Sequence, residues 1–187
     1  MDDFDPPVSL LDVGAADGHL ARSLAERGYR VSAIDFAPSM AAAIGRNAPG
    51  VTVICDEFLA HSFEGASFDI VLLVAFVHLF PPPWDHIVLR KAASLLSSRG
   101  VCFVSTTVES GVSGFQAKSG MGHQPNRYRN RYTSESFSAL IESAGLAIRT
   151  LEYVRDPVDP SKVWMDCICV PDSHAPDNVL DLIQNQT

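Results

Sequence analysis

Short apolar runs separated by helical patterns organise this chain from Val8 to about Val170. Leu10-Leu11-Asp12-Val13 reads as a strand, and Arg30-Val31-Ser32-Ala33-Ile34 as a second. Val51–Cys55 is a third, and Ser67–Val74 is so continuously apolar that it suits a strand buried on both faces of a parallel sheet. Val101–Ser105 is a fifth. Between the first two strands, Leu20 and Leu24 stand one helical turn apart with Ala21 and Ala25 beside them, and Gly28 stops the helix as a C-terminal cap. Further helices are expected to open at Pro38 and to run from Asp85 to Ser97, with Pro83 near the start of the latter. Thr133 can cap a fourth helix, with Glu135 favourably placed near its N-terminus and Phe137, Leu140, Ile141 and Ala144 on one face, ended by Gly145. Leu146–Val154 and Lys162–Val170 then read as two strands joined by Asp156-Pro157-Val158-Asp159-Pro160.

Composition sharpens this to one α/β domain over residues 1–170, followed by a tail, 171–187, in which Val179, Leu180, Leu182 and Ile183 make one apolar face. A chain of 187 residues, 47% hydrophobic, can bury a substantial core without metals or disulfides. The four cysteines, at 55, 102, 167 and 169, lie in strand patterns and read as reduced core residues. No stretch reaches the roughly 20 apolar residues of a membrane span, and Met1-Asp2-Asp3 has the wrong charge for a secretory leader, so a cytoplasmic protein is expected. The net charge of −8 argues against duplex nucleic acid as a partner.

The chemistry starts at Leu10-Leu11-Asp12-Val13-Gly14-Ala15-Ala16-Asp17-Gly18, where a strand ends in a carboxylate and a glycine-bounded turn. A dinucleotide fingerprint needs Gly-x-Gly-x-x-Gly to admit a pyrophosphate, and here Ala16 and His19 occupy the middle and last glycine positions. Asp12 and Asp17 add negative charge where phosphates would lie. A ligand without phosphate that carries an ammonium and a sulfonium suits the site better. The run resembles the first motif of the class I S-adenosylmethionine-dependent methyltransferases, Asp/Glu-x-Gly-x-Gly-x-Gly with the middle glycine often replaced by a small residue, as Ala16 does.

The resemblance extends in order along the chain. Asp35 closes the second strand near the roughly 20-residue interval at which such an acid meets ribose hydroxyls, although it can also cap the helix opening at Pro38. Phe36 and Met40 follow where the family packs apolar groups on the nucleoside; a core role is open for each. Asp56, with Glu57 beside it, matches the acid that accepts from the adenine amino group, and Phe68-Asp69-Ile70-Val71 matches the fourth-strand signature, where Asp69 is usually structural. Ala15, His19 and Val74 would flank the cofactor. What the family implies is a doubly wound, mostly parallel seven-stranded sheet of order 3-2-1-4-5-7-6, its inserted last strand antiparallel, holding S-adenosylmethionine and releasing S-adenosylhomocysteine.

The acceptor is less legible. From Thr107 to Arg131, four basic residues face one acidic residue in a glycine-containing stretch, which reads as a substrate lid without structure of its own or as a solvated loop. Arg127, Arg129 and Arg131 would share one face if extended and meet a carboxylate or phosphate of the substrate. His78, just beyond the fourth strand, and His123, in the lid, are candidate bases, with packing the alternative for His78. Ala75-Phe76-Val77-His78 stands where enzymes methylating amino groups of bases or glutamine carry Asn/Asp-Pro-Pro-Tyr/Phe, and the paired metal-binding carboxylates of the catechol-type branch cannot be picked out, so a small-molecule O- or N-acceptor, methylated without a metal, is expected. Only seven residues precede Val8, where small-molecule enzymes of the family place covering helices; the lid, the tail, a homodimer partner or another subunit is expected to cover the site. Two readings stand beside this one: a catalytically idle cofactor-binding subunit, and a nucleotide-dependent oxidoreductase, which the incomplete glycine fingerprint disfavours.

Overall fold

A computed structural model describes residues 8–108, 111–116 and 127–172. The chain runs β1 (Ser9–Val13), α1 (His19–Glu26), β2 (Arg30–Ile34), α2 (Pro38–Asn47), β3 (Thr52–Ile54) and β4 (Phe68–Val74). A single 3₁₀ turn (Val77–Leu79) leads to α3 (Trp84–Ser94) and β5 (Leu96–Thr107). Then come β6 (Gly114–Gln116), β7 (Arg127–Arg129), α4 (Ser134–Ser143), β8 (Leu146–Arg155) and β9 (Val163–Pro171).

Seven strands form one sheet of order β3-β2-β1-β4-β5-β9-β8. The first five are parallel, and β9 runs antiparallel between β5 and β8. This is the doubly wound arrangement expected from the motif order. Strand alternation divides the core between the two faces. Leu11, Val13, Val71, Leu73 and Val104 pack with α3 and α4 through Val88, Leu89, Phe137 and Ile141. Leu10, Val31, Ala33 and Leu72 pack with α1 and α2 through Ala21 and Ile44 on the other face. Full burial of each large side chain contributes about 1.5–3 kcal/mol.

Asp69 ties the start of the sheet together. Its Oδ2 accepts from the Ser9 amide at 2.9 Å and Ser9 Oγ at 2.8 Å, and its Oδ1 accepts from Ser97 Oγ at 2.9 Å. Those bonds, the Ser9 amide first, hold its carboxyl below the usual range. The acid is structural, as expected. Burial pushes the thiols of Cys102, Cys167 and Cys169 up, the latter two to about 11 and about 12, so these three belong to the core. Cys55 does not: it is exposed, because β3 is an edge strand that ends one residue earlier.

Two further expectations change. Helix α3 ends at Ser94 rather than Ser97, because Leu95 turns the chain and Leu96 already pairs with Phe68. The stretch after β5 is not wholly irregular: β6 and β7 form a separate antiparallel pair, Phe115 opposite Tyr128. Their rings meet edge to face at 5.6 Å, a cross-strand pair of the kind that stabilises a short hairpin. The tail expected to be helical lies outside the described residues from 173 onward.

Candidate functional site

A cavity of about 550 Å³ opens beyond the carboxyl ends of the parallel strands, the position where open α/β sheets bind ligands. Its acidic side is lined by Gly14, Asp35, Phe36, Asp56, Glu57 and Phe58. Ala75, Phe76, Leu79, Phe80, Arg127 and Tyr128 line the other.

The floor depends on backbone that side chains would block. Gly14 has φ +72°, and a Cβ there would lie 2.5 Å from Phe76 Cδ2. Gly18, at φ +81°, lets α2 approach: its Cβ would lie 3.0 Å from Ile44 Cα. Ala16 and Ala75 also sit at positive φ, 50° and 53°, which costs an L-residue roughly 1–2 kcal/mol each. Ala75 lines the cavity, and the amide of Ala16 binds a cavity acid. Strain of this kind persists where the surrounding structure holds it, commonly at functional sites.

Asp35 is that acid. Its Oδ2 accepts from the Ala16 amide and its Oδ1 from the Ala37 amide, both at 3.0 Å. The carboxylate thus joins the glycine turn to the approach of α2, and each oxygen keeps a lone pair for a ligand donor. Asp12, at the end of β1, is only 3% exposed and its Oδ2 has no hydrogen-bond partner. Burial, with a smaller contribution from the charge of Asp35, pushes its carboxyl up to about 6. An orphaned buried acceptor beneath a glycine turn is relieved by a cation or a hydrogen-bond donor. Asp56, beyond β3, accepts from the Glu57 amide at 2.8 Å through Oδ1, and its Oδ2 lies 2.9 Å from His61 Nδ1. These contacts, His61 first, hold its carboxyl below the usual range.

Other residues singled out from the sequence are placed differently. Ala15 is buried behind the turn, its amide 3.3 Å from the Ile34 carbonyl. Asp12, Asp17, Gly18, His19, Met40 and Val74 lie outside the cavity lining, Asp12 buried behind it. Asp17 Oδ1 accepts from the His19 amide at 3.3 Å, and the Asp17 carbonyl accepts from Asn47 Nδ2 at 3.0 Å, so Asp17 joins α1 to α2. The His19 ring faces Arg22 at 3.4 Å. His78 is 3% exposed, with Nδ1 3.2 Å from Thr106 Oγ1, and also lies outside the lining. His123 is outside the described residues. The three arginines have different surroundings: Arg127 lines the cavity, Arg129 donates to Thr107 Oγ1 at 2.7 Å, and Arg131 packs so closely that a Cβ on Gly111 would meet its Cδ at 2.8 Å.

Sequence reasoning missed the aromatic wall. Phe58 and Phe76 meet edge to face with centroids 6.0 Å apart, and Phe76 and Phe80 lie 5.0 Å apart. The Phe76 and Phe80 spacing across a turn was the available signal. Also missed was Asn130, which anchors the hairpin beside this wall. Its amide donates to the His78 carbonyl at 2.7 Å, and its Nδ2 donates to Asp85 Oδ2 at 2.9 Å. Tyr132 OH donates to the same carboxylate oxygen at 3.0 Å, and Ser113 Oγ donates to Asn130 Oδ1 at 2.7 Å.

Residues 10–100 match the family model described as a methyltransferase domain. Over these residues the chain carries a class I S-adenosylmethionine-dependent methyltransferase domain. It is 34% identical over 107 residues to the ubiquinone biosynthesis O-methyltransferase of Xanthomonas campestris pv. campestris (strain B100), covering 54% of this chain and 44% of that protein. The chain thus spans less than half the length of that relative. Its fold is that of the Burkholderia thailandensis 1,6-didemethyltoxoflavin-N1-methyltransferase, solved with 1,6-didemethyltoxoflavin and S-adenosylhomocysteine (TM-score 0.73, 22% identity, 89% of this chain and 72% of that one). The CcbJ methyltransferase of Streptomyces caelestis is similar (TM-score 0.72, 15% identity, 90% and 85%).

The cofactor of this methyltransferase family is S-adenosylmethionine, and the residues present fit it. The orphaned Asp12 suits its cationic end, the doubly anchored Asp35 suits vicinal hydroxyls, and Phe36, Asp56 and Phe58 offer apolar and accepting groups for a base. No described helix is long and apolar enough to cross a membrane.

Proposed function

We propose that this chain transfers a methyl group to oxygen or nitrogen of a small, aromatic, anionic acceptor, without a metal. The observation that carries this reading is the division of one cavity: acids lie toward β2 and β3, and an aromatic wall with Arg127 and Tyr128 lies toward β4 and the β6–β7 hairpin. An aromatic acceptor would stack or pack edge-on against Phe76 and Phe80, and a carboxylate on it would be met by a guanidinium that is permanently charged. When bound, the cofactor supplies an electrophilic methyl on a sulfonium, so in-line transfer asks the chain mainly for orientation, which can supply roughly 7–11 kcal/mol of the barrier. Support for this reading comes from the names of the Xanthomonas relative, an O-methyltransferase, and of the Burkholderia protein, an N1-methyltransferase.

The test is transfer of labelled methyl from S-adenosylmethionine to a panel of hydroxybenzoates and heteroaromatic carboxylates, each paired with its neutral methyl ester, with and without a chelator. The expected result is chelator-insensitive turnover of acids over esters. Cofactor binding with no turnover of any member would favour the idle-subunit reading, and preference for the esters would overturn the anionic acceptor.

A further inference from the structure

We propose that His61 and Lys91 are positioning residues that make this methyltransferase selective for the adenine amino group of its cofactor. The inference rests on the reading of Asp56 as the acceptor of that amino group. Along the sheet edge Gly14, Asp35 and Asp56 follow β1, β2 and β3 in turn, with neighbouring strands about 4.8 Å apart, so a nucleoside whose ribose meets Asp35 carries its base over β3.

Asp56 lies on an exposed edge, its side chain 47% accessible, and an unsupported carboxylate there would rotate freely. Two contacts stop it: the Glu57 amide on Oδ1, and His61 Nδ1 at 2.9 Å from Oδ2. An ionised carboxylate only accepts, so Nδ1 carries the proton. His61 is itself fixed. Residues 57–61 make one helical turn, the His61 amide donating to the Glu57 carbonyl at 2.9 Å, and the imidazole stands edge-on to Phe63 with centroids 4.7 Å apart.

Lys91 reaches this turn from α3, 30 residues along the chain. Its Nζ donates to the carbonyls of Leu59 at 2.9 Å and His61 at 2.7 Å, and lies 5.4 Å from the centroids of both Phe58 and Phe63. The ammonium therefore caps the open end of the turn and holds Phe58, which lines the cavity, against it. A carboxylate held in this way accepts from an amino group and repels an oxo group at the same position. A site built to hydrogen-bond one group rejects its replacement because its own polar atom is then left unpaired.

The experiment is calorimetry of the full chain with S-adenosylhomocysteine and with S-inosylhomocysteine, which carries oxo in place of amino. Wild type should prefer the adenine compound. His61→Ala should weaken S-adenosylhomocysteine about tenfold, the loss expected for one hydrogen bond, while leaving S-inosylhomocysteine nearly unchanged. His61→Asn, whose amide can replace Nδ1–H, should restore the preference, and Lys91→Met should lower it in the same direction. Equal losses for both ligands, or no loss in His61→Ala, would overturn the proposal. Because His61 is only half-buried at the edge of the fold, its variants remain informative if Lys91→Met does not fold. Asp56→Ala separates the two levels: if it too leaves the preference intact, the reading of Asp56 fails and the proposal with it, whereas loss in Asp56→Ala but not in His61→Ala overturns the positioning role alone.

Discussion

The ring of Phe76 lies over Gly14, close enough that a Cβ on Gly14 would stand 2.5 Å from its Cδ2. The first glycine of the turn is thus constrained twice, by φ +72° and by an aromatic residue that lines the cavity. Gly14→Ala should abolish measurable S-adenosylhomocysteine binding in calorimetry. Adding Phe76→Ala relieves the collision but not the left-handed backbone, so the double variant should recover binding only in part. Full recovery would show that φ carries no cost there.

Asp12 gives a pH dependence whose sign is fixed by its elevated carboxyl. The folded value of about 6 exceeds the ordinary 3.8, so the folded state holds the proton more tightly between those values. Stability of the free protein should therefore fall as pH rises from about 4 to about 6, and the full cost, on the order of 2–3 kcal/mol, should persist above that window. Asp12→Asn should raise the melting temperature at pH 8 but not at pH 4. A cationic ligand end favours the ionised form, so S-adenosylmethionine should bind more tightly as pH rises through about 6, and this slope should be absent in Asp12→Asn.

Asn130 tests the anchoring of the hairpin. Its Nδ2 reaches Asp85, and its Oδ1 accepts from Ser113. Asn130→Ala leaves a 3%-exposed carboxylate with one donor fewer and should cost about 1–3 kcal/mol of stability in denaturant titration. Trypsin should then cut faster at Arg127 and Arg129, with S-adenosylhomocysteine affinity preserved. Loss of cofactor affinity would mean that the hairpin supports the cofactor side of the cavity.

On the proposal that Arg127 meets the acceptor, Arg127→Ala should raise the Michaelis constant for an anionic acceptor while cofactor affinity stays intact. Equal weakening of the cofactor would place the guanidinium over the cofactor instead.

His78 is buried against Thr106, outside the cavity lining. His78→Gln should accordingly keep turnover close to wild type. A fall of roughly 10²- to 10⁴-fold with cofactor binding preserved would return it to the role of base.

Amino-acid order by itself determined the sheet and which glycine and acids stand at its carboxyl edge, because both are written in local pattern. Asp12 and Gly14, Asp35, and Asp56 each stand where a strand's apolar run gives way to a turn, and parallel winding brings all such ends to one edge. The capping residue Thr133 and the glycine stop at Gly145 are local in the same way. Only tertiary structure decided what forms the opposite wall of the cavity. Phe76 over Gly14, Arg127 and Tyr128 in one cavity wall with Phe76 and Phe80, and Asn130 on Asp85 join segments far apart in the chain, as Lys91 on the carbonyls of Leu59 and His61 does behind Asp56. No periodicity marks such pairs, since they arise from which elements the sheet and its crossovers bring into contact. For the same reason His78, attractive by its position after β4, is carried into the interior by a 3₁₀ turn whose carbonyl Asn130 holds.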